Sequence, residues 1–345
     1  MSDARAPFLI DAGGDAGTGP REFAEHAAAA EAAGYDGMIA AETRHDPFVS
    51  LAAAAVLTER VSLMTAIAVA FARSPMTVAE TANDLQLLAQ GRFVLGLGSQ
   101  VRAHIERRFS MPWSAPAARM REFVAAVRAI WHSWETGERL RFRGEHYRHT
   151  LMTPFFSPGP NPHGSPPIWI AGVGERMTET AGAVADGLIA HAFTTPRYLR
   201  EVTVPALERG ARSEGRDPAA LGLSLPAFVA VGDAPGEVDR AAEATRAQIA
   251  FYGSTPDYLP VLALHGWEGL HERLNALARR GEWEHMAAAV PDEVLTTFAA
   301  IGTPAEVAAQ LRERFTGTVT RLSFYASVPL PDATAVALID ALAQS

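Results

Sequence analysis

Short, uniformly apolar runs alternate along the chain with longer stretches whose apolar residues recur at helical spacing, and turn residues separate the two. Pro7-Phe8-Leu9-Ile10 reads as a buried strand. Thr18-Gly19-Pro20 opens a helix that runs to Gly34, with proline in the first turn, where its missing N–H costs no hydrogen bond. Asp36 to Ala41 is a second strand, and Asp46 caps a second helix that carries Pro47 and ends near Arg60. Val61 to Ala70 is a continuous apolar run; Ser74-Pro75 then starts a helix that Gly91 terminates before the strand Arg92 to Leu97. A helix from about Arg119 to Trp134 and the segment TPFFSPGPNPHGSPP follow. Strands resume at Ile168–Ile170, Gly187–Ala192, Leu223–Val231 and Val319–Tyr325, with helical stretches between them and a less regular region from Gly253 to Pro291.

Eight apolar strands separated by helices favour a parallel sheet covered on both faces, and eight is the number that closes a barrel. The pattern therefore predicts one (β/α)8 TIM-barrel domain over residues 1–345, with insertions at about 137–166, after the fourth strand, and 253–291, after the seventh. A doubly wound open sheet is the alternative. It demands a glycine-rich turn after the first strand, where this chain has Asp11-Ala12-Gly13-Gly14-Asp15. In a barrel the C-terminal strand ends share one mouth, which gathers Asp11, Glu42, Ala68, Ser99, Gly172 and His191. Gly96-Leu97-Gly98 lies at such an end. The third glycine of the dinucleotide fingerprint is replaced by Val101, so these glycines are expected to admit a planar ligand to the backbone rather than to cradle a pyrophosphate.

Composition narrows the chemistry. The net charge is -9 and the basic residues are scattered, which disfavours nucleic acid and anionic membrane as partners. No apolar run approaches the roughly 20 residues that span a bilayer, and the N-terminal MSDARAPFLID lacks a signal layout, so a cytoplasmic enzyme acting on a small molecule is expected. Without cysteine or lysine there is neither thiolate nor Schiff-base chemistry. His132, His146 and His149 have no metal spacing with carboxylates, so no metal site is expected, and Trp131 with Trp134 reads as core. His45, His104 and His191 stand at strand ends or in the loops after them, and histidine is the side chain suited to moving protons near neutrality. They are the candidate catalytic residues, each weighed against a structural or substrate-lining role.

Read together, SLMTAIAVAFARSPM, GRFVLGLGSQVRAHIERRF, FRGEHY and PPIWIAGVGERMTETAGAVADG resemble the luciferase-like monooxygenase superfamily, and especially its deazaflavin (coenzyme F420)-dependent oxidoreductases. The similarity covers nearly the whole chain, and AETRHDPF, MPW and IAFYGSTP look like one subgroup. The resemblance implies a barrel that holds an isoalloxazine-like ring at the ends of strands three and four and the cofactor phosphate near strand five. It places Glu42 at a polar ring edge, although Thr43 stands where the family often has histidine. It sets a non-prolyl cis peptide at Ala66-Ile67, with Thr65 and Ala68 beside it, against the ring. Ser99 and Gln100 line the ring, and Ala171-Gly172-Val173-Gly174-Glu175 holds the phosphate, a role that the N-terminus of the following helix suits. The implied activity is hydride exchange between F420 and an unidentified organic substrate, in a homodimer formed through helices such as the apolar second one. Two alternatives stand beside it: an FMN-dependent monooxygenase and a non-catalytic flavin- or deazaflavin-binding protein.

Overall fold

The computed structural model describes residues 7–13 and 17–344. Gly14 and Asp15 of the first turn, and the N-terminal residues ahead of Pro7, lie outside the described residues. In chain order the elements are β1 (Leu9–Gly13), α1 (Pro20–Ala32), β2 (Gly37–Ala40), α2 (Pro47–Leu57), β3 (Ser62–Thr65), β4 (Ala68–Val69), α3 (Pro75–Leu88), β5 (Phe93–Gly98), α4 (Arg102–Arg107) and α5 (Pro116–Thr136). The hairpin β6 (Phe142–Arg143) and β7 (Arg148–His149) follows, then β8 (Ile168–Ala171), α6 (Glu175–Val184), β9 (Gly187–Ile189), α7 (Pro196–Tyr198), α8 (Val204–Ser213) and β10 (Gly222–Val231). The chain closes with α9 (Pro235–Gly253), α10 (Leu259–Ala263), α11 (Glu268–Arg280), α12 (Trp283–Ala287), α13 (Asp292–Phe298), β11 (Ala300–Gly302), α14 (Pro304–Phe315), β12 (Arg321–Ala326) and α15 (Asp332–Ala343).

The hydrogen-bonded order β1-β2-β3-β5-β8-β9-β10-β12, with β12 pairing parallel to β1, is a closed eight-stranded (β/α)8 barrel rather than an open sheet. Two further strands attach to it: β4 continues β3 along β5, and β11 extends from β10. The predicted run Val61–Ala70 is thus two strands separated by Ala66-Ile67, whose peptide bond is cis, as the resemblance implies.

Helix starts follow the expected chemistry. The Asp46 carboxylate accepts the Phe48 N–H at 2.8 Å, and Ser74 caps α3 through the Thr77 N–H. On α5, Met120, Phe123, Val127, Ile130, Trp131 and Trp134 are all buried at three- and four-residue spacing, and the Trp131 indole donates to the Ala79 carbonyl at 3.0 Å. The segment 253–291 differs from the expectation of irregular chain, since it is largely helical. Its pieces α10 and α12 are only five residues each, too short to show a period in the sequence.

The chain divides into two compact units. One comprises Ala12–Ile189 and Ala206–Gly222. It contains β2 to β9, and its strands turn Met64, Trp169 and Ile189 inward, packed with Ile39, Ala66, Ile67, Val94 and Ala171. The other comprises the chain up to Asp11, Ala190–Pro205 and the chain from Leu223 onward. Its core is rich in aromatic residues, among them Phe193, Phe228 and Phe298. Asp11 belongs to this unit and is buried against Arg321, whose guanidinium donates to both carboxylate oxygens. That pairing commits Asp11 to an internal ion pair, so its part in the expected gathering at the mouth is corrected.

Candidate functional site

The ends of β2 and β3 are bound together around one carboxylate. The Glu42 N–H donates to the Ile67 carbonyl at 3.0 Å, and Glu42 Oε2 accepts the Val69 N–H at 2.7 Å and Arg73 Nη1 at 2.6 Å. Arg73 reaches onward to Asp46 Oδ2 at 2.7 Å and to the Val69 carbonyl at 3.2 Å. Glu42 thus forms an ion pair with Arg73. The segment Ile67–Val69 is therefore held by one acid through its own main chain. Burial opposes the charge on Arg73, but the two carboxylates outweigh it and raise its pKa. Glu42 thus faces a guanidinium that stays protonated.

Thr65 is wholly buried and staples β3 to β5: its hydroxyl donates to the Gly96 carbonyl at 2.7 Å and accepts the Gly96 N–H at 2.8 Å. This explains the glycines of the fourth barrel strand. A Cβ at Gly96 would stand 1.8 Å from the Thr65 carbonyl oxygen, and one at Gly98 would stand 2.7 Å from the Ile67 side chain. Both glycines make room for the neighbouring protein chain, a reading that replaces close approach to a ligand. Ala68 is fully buried, whereas Ala66 and Ile67 are partly exposed. Beyond β5, Ser99 and Gln100 are also partly exposed; Gln100 adopts φ 58° and accepts the Val101 N–H through its own side chain at 2.9 Å.

At the end of β8, Ala171 and Gly172 are partly exposed and Val173, Gly174 and Glu175 are exposed. No side chain caps α6, and a Cβ at Gly174 would meet nothing within 4 Å, so its first turn is open to an anion. The Gly172 N–H is already spent on the Ile189 carbonyl at 3.2 Å, which moves the expected anion contact to the residues after it. Glu175 pairs with Arg209 at 2.9 Å on the surface.

The three candidate histidines separate clearly. His45 and His104 are exposed. His191, just beyond β9 in the other unit, lies among Tyr252, Tyr258 and Phe193. Burial pushes its pKa down to about 4, so its ring is neutral near pH 7. Its Nδ1 accepts the Phe193 N–H at 3.0 Å and its Nε2 lies 3.0 Å from the Tyr258 hydroxyl. Tyr252 and Tyr325 share a hydrogen bond of 2.9 Å, and the Tyr325 ring packs edge-on to Phe228. The partners Arg73, Tyr252, Tyr258 and Tyr325 escape a sequence reading. Arg73 is a single cation closing an apolar run; Tyr252 and Tyr258 flank the phrase GSTPD, which carries the signal of a surface turn.

Among the described residues no helix is long and apolar enough to cross a membrane. A family model described as luciferase-like monooxygenase matches residues 5–321. A protein of Mycobacterium tuberculosis (strain ATCC 25618 / H37Rv) described only as uncharacterized is 52% identical over 299 residues, 87% of this chain and 88% of its own. The 5,10-methylenetetrahydromethanopterin reductase of Archaeoglobus fulgidus is 28% identical over 256 residues, 72% of each chain. Among solved structures, the coenzyme F420-dependent tetrahydromethanopterin reductase from Methanopyrus kandleri superimposes with a TM-score of 0.77 at 20% identity, covering 98% of this chain and 97% of that one. The oxygenating constituent of 3,6-diketocamphane monooxygenase from Pseudomonas putida, in complex with FMN, gives 0.68 at 16% identity over 98% and 96%. The two structures establish a shared fold.

Proposed function

Because the chain belongs to the luciferase-like monooxygenase family, we propose that this oxidoreductase transfers hydride between the deazaflavin F420 and a small organic substrate. The observation that carries the choice of cofactor is the fold shared with a coenzyme F420-dependent tetrahydromethanopterin reductase; the similarity, over 72% of each chain, to a 5,10-methylenetetrahydromethanopterin reductase supports a reductase. The residues present suit such a group. The uncapped first turn of α6, with open space at Gly174, fits its phosphate. Ala66, Ile67, Ser99 and Gln100 offer a partly exposed surface for a flat ring, and Glu42, locked by Arg73, keeps Ile67–Val69 in place beneath it. When bound, the deazaflavin supplies a two-electron hydride carrier whose central ring position is carbon. The protein's part is to fix the ring, hold the anion on main-chain N–H groups and supply hydrogen-bond donors to the substrate.

The reading extends to a homodimer. α2 buries Phe48, Leu51, Ala54 and Ala55 yet leaves Val49, Val56 and Leu57 exposed, and α3 exposes Leu87 and Leu88. Light scattering is expected to give a dimer that Val56→Glu dissociates; a monomeric wild type removes the proposal. The cofactor is tested by titrating the protein with F420 and with FMN and then following turnover across a substrate panel. FMN binding with oxygen-dependent turnover would replace the deazaflavin reading with a monooxygenase.

A further inference from the structure

The cluster around His191 has a fixed direction of hydrogen bonding. The Phe193 N–H can only donate, so Nδ1 of His191 is the acceptor. The neutral ring then carries its proton on Nε2, which donates to the Tyr258 oxygen 3.0 Å away. The hydroxyl proton of Tyr258 finds no further acceptor among the described residues. The Tyr252–Tyr325 pair behaves the same way: one hydroxyl donates to the other, and the accepting tyrosine keeps a proton to give. The rings of Tyr252 and Tyr258 are 5.6 Å apart, so the Tyr252–Tyr325 pair and Tyr258 belong to one aromatic cluster. Phe193 and Phe228 wall the group with apolar surface. His191 follows the C-terminal end of β9 and Tyr325 lies at the C-terminal end of β12, the side of a barrel where substrates bind.

We propose that Tyr258, together with the Tyr252–Tyr325 pair, forms a two-donor site for the oxygen of an uncharged carbonyl compound, with His191 as the positioning residue that aims the Tyr258 hydroxyl. A carbonyl oxygen has two lone pairs, which match two donors, and an apolar body suits the aromatic walls. Burial holds the Tyr258 hydroxyl protonated up to about 12, with Tyr252 and Asp257 adding to the shift. Asp257 also disfavours an anionic ligand. The assignment of this oxygen as that of the substrate rests on the function proposed above; the binding site does not depend on which cofactor is used.

The test uses the purified protein, acetophenone as the carbonyl probe and 15N-labelled histidine. At pH 7 the His191 resonances are expected to show a protonated Nε2 and an unprotonated Nδ1; the opposite tautomer would make Tyr258 the donor to histidine and overturn the proposal. In ligand titrations followed by NMR, Tyr258→Phe and the double variant Tyr252→Phe/Tyr325→Phe keep their rings and are expected to weaken acetophenone binding by roughly three- to tenfold. Tyr147→Phe, a tyrosine bonded to Arg119 in the other unit, is expected to leave it unchanged. His191→Gln, which can still donate from its amide, is expected to retain more affinity than His191→Ala. Failure of the wild type to bind acetophenone, or equal affinity in Tyr258→Phe, overturns the site. A parallel F420 titration separates the two claims, because loss of F420 binding sinks the cofactor reading while leaving the acetophenone result intact.

Discussion

The two compact units fix their polar side chains with opposite materials. In the unit containing β2 to β9, the strand ends are fixed by charge and main chain: one carboxylate takes a backbone N–H and a guanidinium, and one threonine hydroxyl bridges two strands. In the other, the polar tips are uncharged and sit on aromatic rings, with histidine held neutral by burial. The first unit presents small residues and backbone at its strand ends, whereas the second presents hydroxyl groups on aromatic walls.

The comparison breaks most severely at Gly96. A methyl group there collides with the Thr65 carbonyl oxygen at 1.8 Å, a backbone atom that cannot swing aside, so Gly96→Ala is expected to destabilise the protein by upwards of about 3 kcal/mol in urea unfolding. A near-wild-type midpoint would show that the staple between β3 and β5 can move.

Next comes Arg73→Ala, which leaves the shielded Glu42 carboxylate without its partner. Removing one member of a buried pair costs about 3 kcal/mol, and F420 affinity should fall with it. Arg73→Lys retains the charge but cannot reach Glu42 and Asp46 with one planar fork, so it should recover only part of the loss.

His191 gives a pH signature to the second unit. Its folded pKa of about 4 lies below the ordinary histidine value of 6.5, so between those values the unfolded chain binds more protons and stability falls as pH falls. The shift corresponds to about 3 kcal/mol, fully present above pH 6.5 and lost on descending toward pH 4. His149 and His265 are lowered by burial as well and add slope of the same sign. Subtracting the pH–stability curve of His191→Gln from that of wild type isolates the residue; superimposable pH dependences would show that folding leaves its pKa unshifted.

The smallest effect on stability is expected at Gly174. Its Cβ position is open, so Gly174→Ala should change unfolding by no more than about 0.5 kcal/mol. If the cofactor phosphate approaches this turn, F420 affinity should still drop, and unchanged affinity would place the anion elsewhere. Gly172 is a poorer probe, because a Cβ there lies 3.2 Å from Leu188 and 3.3 Å from Thr178.

What could be read from the sequence follows from how local each signal is. Strand runs such as Leu223–Val231 and helix starts such as Asp46-Pro47 depend on neighbours in the chain, and their positions agree with the structure within a few residues. The Glu42–Arg73 pair spans 31 positions and the His191–Tyr258 pair 67, so no local pattern encodes either. Gly96 and Gly98 were visible as glycines, but their reason lies in Thr65 and Ile67, which approach only after β3 and β5 pair.

The central claim is the proposed preference for F420 over FMN, and calorimetric titration with the two side by side tests it most directly. F420 is expected to bind at least roughly tenfold more tightly, the equivalent of about 1.4 kcal/mol. Tight FMN binding with none for F420 would contradict it.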